Sequence, residues 1–155
     1  MTKVNLPDGS VLEVDNSITG WQLAEKIGPG LAKAAIAVKI DDQLKDLSVF
    51  LNSDGCDEIS VQIITPKDDE GLEIMRHSCA HVMAEAICSI WPDTKLVYGP
   101  TVEDGFYYDI DLDEPIRPTD FERIEEKMTE IVKANKPFIR KERKYYLALI
   151  PRKKF

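Results

Sequence analysis

Eight apolar residues between positions 72 and 90 (Leu72, Met75, Cys79, Val82, Met83, Ala86, Ile87 and Ile90) recur at steps of three, four and one. A 3.6-residue period gathers them into one stripe, so the stretch reads as a long amphipathic helix, ended by Pro92. Such a helix needs another element to cover its stripe. The composition allows one: 43% of residues are hydrophobic and 31% charged, enough to build a core and too apolar for a disordered chain. At roughly 150 residues per domain, a chain of 155 residues holds one domain or two small ones. No apolar run approaches the ~18–20 residues of a membrane helix, and Met1-Thr2-Lys3 leads into polar sequence, unlike a signal peptide. Cys56, Cys79 and Cys88 contain no Cys-x-x-Cys pair, which suits reduced thiols in a cytoplasmic protein.

Upstream of the helix the order of elements is that of a β-grasp. Residues 2–6 read as a strand, Pro7-Asp8-Gly9-Ser10 as a turn, and residues 11–14 as the returning strand. Thr19 caps a short helix expected to carry Trp21, Leu23, Ala24 and Ile27 inward and to stop at Gly28-Pro29-Gly30. Residues 35–40 form a strand, Asp41-Asp42 a turn, and residues 59–64 a last strand with Val61 and Ile63 on one face. Domain one is therefore residues 1–65, followed by a polar linker at 66–70. The second unit, 71–142, opens with the long helix. A strand near residues 96–98 follows, then an aromatic-rich strand at 106–110. A second helix has Thr119 and Glu122 as capping box and Phe121, Ile124, Met128, Ile131 and Val132 inward, and a strand spans 138–142. The fold class is α+β, with a second sheet short of partners.

Charge is distributed unevenly. Residues 136–155 hold eight of the twenty bases and one of the twenty-eight acids, leaving twelve bases against twenty-seven acids in residues 1–135. An acidic body disfavours non-specific binding to DNA or RNA by phosphate attraction. Residues 143–155 form an atypical basic tail.

The only two histidines, His77 and His81, stand at i and i+4 on the long helix, side by side and away from its apolar stripe. Small Ala84 on the same face is expected to leave room above them. Surface histidines without function, a site floor and a metal pair all fit this spacing. Ser78 stands where His-Glu-x-x-His needs its Glu, which excludes the zinc-protease motif. Two nitrogens do not complete a zinc site, so His77 and His81 would need ligands from beyond this chain. Cys79 is expected to face the core, and Cys88 lies too far along the axis to join the pair. In Gly105-Phe106-Tyr107-Tyr108-Asp109, strand alternation puts Tyr107 and Asp109 on the face that could line a cleft.

Leu6-Pro7-Asp8-Gly9-Ser10 opening the β-grasp resembles the TGS domain. Met75-Arg76-His77-Ser78-Cys79-Ala80-His81-Val82-Met83-Ala84-Glu85-Ala86 resembles the His-Ser-x-x-His-x-x-x-x-Ala signature that opens the editing domain of bacterial threonyl-tRNA synthetases. Tyr98-Gly99-Pro100, Glu103 to Asp109, and Pro137-Phe138-Ile139-Arg140-Lys141-Glu142 continue the likeness in order. The resemblance covers residues 1 to about 142 and implies a TGS domain followed by the first part of a tRNA-editing domain. It further implies a whole protein, a class II synthetase and homodimer, that joins threonine to its tRNA with ATP and Mg, uses a catalytic-domain zinc, and hydrolyses mischarged seryl-tRNA.

By the same resemblance His77, His81 and Lys141 are the editing residues, and Tyr107 and Asp109 line the pocket for the tRNA 3′ end. The family's downstream Cys-His motif and its catalytic and anticodon-binding domains have no counterpart in these residues. The expectation is thus a truncated chain, monomer or weak dimer, without cofactor, inactive in aminoacylation and editing. The alternatives are a non-enzymatic TGS-type module binding tRNA or protein, or a stand-alone trans-editing hydrolase.

Overall fold

A computed structural model describes residues 1–52 and 55–136. The strand expected at 138–142, Lys141 and the basic tail at 143–155 lie outside the described residues. Strands β1 (Thr2–Asn5) and β2 (Val11–Val14) form an antiparallel hairpin in the register Thr2↔Val14 to Asn5↔Val11. In its loop Gly9 takes φ +83°, a conformation in which a side chain is strained, and the Gly9 N–H donates to Leu6 O at 3.0 Å. The Asp8 carboxylate accepts from the Ser10 hydroxyl (2.6 Å) and backbone N–H (2.9 Å), and these bonds hold it below its ordinary pKa.

Helix α1 (Gly20–Ile27) is capped as expected. Gln22 N–H donates to Thr19 Oγ1, while Thr19 N–H donates to Gln22 Oε1 at 2.9 Å. Leu23 and Ala24 are fully buried, but Trp21 and Ile27 are exposed, contrary to the inward assignment. Two residues turn the helix by ~200°, so Trp21 lies nearly opposite Leu23 and instead donates its Nε1–H to Glu25. Ile27 is the last residue of the helix. Gly28 ends α1, and Pro29, set at the first position of a helix where no N–H is needed, starts a second one not read from sequence, α2 (Pro29–Ala34).

Strands β3 (Ala37–Ile40) and β4 (Gln43–Lys45) pair across Asp41 (φ +46°) and Asp42 (φ +63°). Positive φ at both central residues marks a type I′ turn, whose twist matches its strands. Strand β5 (Glu58–Ile64) runs parallel to β1 and antiparallel to β3, giving the order β2-β1-β5-β3-β4. This is the β-grasp arrangement. Val4, Val14, Leu23, Val38, Ile40, Ile59, Val61 and Ile63 form its core between sheet and helices.

Of residues 66–70, Asp69 and Glu70 already belong to α3 (Asp69–Ile90), about 33 Å long at 1.5 Å per residue. Next come β6 (Lys95–Tyr98), β7 (Thr101–Val102), β8 (Gly105–Phe106), β9 (Asp109–Asp111), a 3-10 turn (Pro118–Asp120) and α4 (Phe121–Lys133). The strand expected at 106–110 is two strands. Phe106 pairs with Thr101, Asp109 pairs with Tyr98, and residues 107–108 carry the chain from one partner to the other. Among the described residues the result is two separate two-stranded sheets, with β6 exposed along its length.

Ala86, Ile87 and Ile124 centre the second core, joined by Met83, Ile90, Trp91, Ile110, Leu112, Ile116, Met128 and Ile131. Leu72, Met75 and Cys79, expected in the stripe's buried face, are exposed, because α4 covers only the C-terminal half of that stripe. Phe121 and Val132 are exposed too. The Thr119–Glu122 capping box does not form. Pro118 starts a 3-10 turn, Thr119 falls inside it, and Asp120 Oδ2 accepts from the Arg117 N–H at 2.8 Å. Among the described residues no helix is long and apolar enough to cross a membrane.

Candidate functional site: the histidine face of the long helix

Helix α3 is covered on more than one side. Ala86 and Ile87 meet α4, whereas Ala80 and Ala84 are buried outside that cluster, and α3 also contacts β7 and β8. Ala84 is thus buried and does not open space above the histidines as the sequence suggested.

His77 and His81 remain exposed, and the structure brings them together. Their Nε2 atoms are 2.9 Å apart, with ring centroids 4.6 Å apart and planes at 82°. With both rings neutral, one histidine donates from Nε2 and the other, protonated on Nδ1, accepts. Two nitrogens bound to one zinc at ~2.0–2.1 Å in tetrahedral geometry stand about 3.3 Å apart, so the pair is near the spacing of a bidentate ligand. Among the described residues, however, no group of three or more His, Cys, Asp or Glu side chains is placed to hold a metal. Two rings supply only half of a tetrahedral set.

One turn beyond His81, Glu85 Oε1 lies 3.4 Å from Lys136 Nζ. This contact, not anticipated from sequence, returns the chain leaving α4 to the histidine helix. Lys141 lies outside the described residues. Tyr107 and Asp109 are exposed, whereas Phe106, Tyr108 and Ile110 are half-buried, so the alternation survives the break between β8 and β9. Tyr107 follows directly on β8, which contacts α3, and its N–H donates to Pro100 O at 3.4 Å. No hydrogen bond among the described residues links Tyr107 or Asp109 to the histidines. Gly99 makes room for the neighbouring ring: a Cβ there would lie 2.3 Å from Tyr108 Cδ2.

Residues 2–67 match the TGS domain family. Over 140 residues, 90% of this chain, 49% of positions are identical to a threonine–tRNA ligase of Gluconobacter oxydans. Identity is 50% over 141 residues (91% of the chain) with that of Desulfatibacillum aliphaticivorans, and 51% over 140 residues (90%) with that of Rhodospirillum rubrum. In each case the match covers 21% of the relative, so the chain spans about a fifth of the length of these curated relatives.

Proposed function

Starting from a chain that carries a TGS domain and corresponds along nine-tenths of its length to the N-terminal region of bacterial threonine–tRNA ligases, we propose that it serves a cytoplasmic enzyme of that kind. That enzyme is a class II synthetase and homodimer that joins threonine to tRNA using ATP and Mg, with a zinc ion in its catalytic domain. Residues 71–142 are the first part of the domain that clears seryl-tRNA. Serine lacks one methyl of threonine, and discrimination by a group of that size is worth only about 1–3 kcal/mol, so hydrolysis at a second site supplies the missing selectivity.

The observation that carries this reading is the His77–His81 contact, held at 2.9 Å on an exposed helix face within the aligned region. Cleaving the ester between serine and the terminal ribose needs water positioned and relieved of a proton. Imidazole can do both near neutral pH. A water or ribose hydroxyl entering between the rings replaces the N–H···N bond, accepting from one Nε2–H and donating to the other Nε2. Lys141 contributes positive charge toward the ester's developing oxyanion, and Tyr107 and Asp109 line the cleft for the terminal adenosine. Two histidines alone do not make that site, and no ATP-binding motif occurs in these residues. A polypeptide of these 155 residues is accordingly inert in both reactions and a monomer or weak dimer.

The test grafts residues 1–140 onto the Gluconobacter oxydans enzyme in place of the aligned segment. The chimera is expected to charge threonine and to deacylate seryl-tRNA. His77→Ala and His81→Ala are expected to slow deacylation by about 10²-fold or more while charging persists. Deacylation at the unmodified rate in both variants would sink the assignment. Measurable deacylation by the 155-residue polypeptide would refute its inertness, and salt-dependent tRNA binding without hydrolysis, lost on removing residues 1–65, would favour a TGS-type binding module.

A further inference from the structure

The outer face of the β-grasp sheet, opposite α1 and α2, carries a feature that strand alternation does not predict. In β5, Ile59, Val61 and Ile63 enter the core, so Ser60, Gln62 and Ile64 face the other way; in β3, Val38 and Ile40 enter it, leaving Ala37 and Lys39 outside. An uncovered face would leave Ala37 and Ile64 in water. These two residues are cross-strand neighbours, are 5% and 0% exposed, and belong to neither apolar core.

The first turn of α3 sits at this place. A Cβ at Gly71 would come within 3.3 Å of Ile64 Cγ2 and 1.9 Å of the Thr65 carbonyl oxygen, so only glycine permits the approach. Polar contacts surround it. Glu70 forms an ion pair with Lys39, Gln62 Nε2 lies 3.5 Å from Asp68 Oδ1, and Asp68 Oδ2 accepts from the Thr65 N–H (2.7 Å) and hydroxyl (2.9 Å). A short polar connection would normally let two small domains swivel. Here positions 68, 70 and 71 are all engaged with the sheet.

We propose that this seat makes the β-grasp domain an orienting base for the histidine helix. The sheet and α3 move as one body, and a partner that holds or turns the β-grasp domain thereby sets the direction in which His77 and His81 face. Gly71 is the contact point, Asp68 and Glu70 are positioning residues, and His77 lies six residues further on, about 9 Å along the axis. The seat orients the helix whatever the histidines catalyse.

Residual dipolar couplings of backbone amides in the complete 155-residue chain test it. Couplings from β1–β5 and from α3–α4 are expected to fit a single alignment tensor. Gly71→Val, or Lys39→Glu should the first variant fold poorly, is expected to split them into two tensors. The exchange Lys39→Glu with Glu70→Lys is expected to restore one tensor, an outcome that mere loss of stability would not produce. Two tensors in the unmodified chain would overturn the proposal, as would one tensor surviving in both Gly71→Val and Lys39→Glu.

Discussion

Replacing Gly99 by alanine tests whether the second unit is held together at the switch between β6–β9 and β7–β8. The new methyl would meet Tyr108 Cδ2 at 2.3 Å, Cε2 at 2.4 Å and Cγ at 2.8 Å. These distances are about 1 Å or more below ordinary carbon contact. Cγ lies at the root of the ring, so Tyr108 must retreat bodily and cannot simply rotate its tip. Gly99 is not among the positive-φ residues, so the cost is one of space and not of backbone conformation. Overpacking of this kind costs about 1–3 kcal/mol. With a urea slope of about 1–3 kcal/mol per M, the unfolding midpoint should fall by roughly 1 M. Each unit has one tryptophan, Trp21 in the β-grasp and Trp91 at the end of α3. A Trp21→Phe background therefore isolates the second unit by fluorescence. Tyr108→Leu should recover much of the loss in Gly99→Ala, giving a coupling of about 0.5–3 kcal/mol in the double-mutant cycle. A loss under 0.5 kcal/mol with additive behaviour would refute the packing argument.

Leu23→Ala, at a fully buried position, should cost about 2–5 kcal/mol and act on the Trp21 signal, and Ile87→Ala should act on the Trp91 signal; urea titrations of both variants check this. The N–H and hydroxyl of Thr65 hold Asp68 below its ordinary pKa. Its contribution is thus present above about pH 4 and lost as the pH falls through the folded value, so the melting-temperature deficit of Asp68→Asn should be full at pH 7 and shrink below about pH 4. Asp42→Gly, at φ +63° in the I′ turn, should stabilise by a few tenths to about 1 kcal/mol, seen as a melting temperature higher by a few degrees.

What sequence made legible was whatever depended on local pattern. The Thr19 cap, the Pro7–Ser10 turn, the β-grasp order and the adjacency of His77 and His81 all follow from spacing within a few residues. The misplacements share a cause, which is that burial depends on a partner's extent and not on the helix's own period. Leu72, Met75 and Cys79 lie on the stripe, yet α4 does not reach them. Ala84 lies off the stripe, yet it is buried on a side of α3 away from the α4 cluster. The break at residues 107–108 was hidden because alternation of side chains continues through a change of hydrogen-bonding partner. Gly71 and the Ala37–Ile64 seat were invisible because nothing in one strand's pattern reveals what docks on its far face. Of the site residues, the histidine pair was readable from an i, i+4 step, whereas the Glu85–Lys136 contact depends on the path of the chain after α4.

The order of strands in the β-grasp also bears on how the chain can be made. The first strand, β1, pairs in parallel with the last, β5, at the centre of the sheet. The β1–β2 hairpin is complete by Val14, but its remaining central edge has no complete neighbour until Ser60 has been synthesised, some 46 residues later. At about 5–20 residues per second that is roughly 2–9 s during which a nascent chain carries an unpaired strand edge. Since β5 leads directly into the turn that seats α3, closing the sheet and starting the histidine helix become consecutive events at the ribosome exit. A pause in translation before residue 64 would leave both undone.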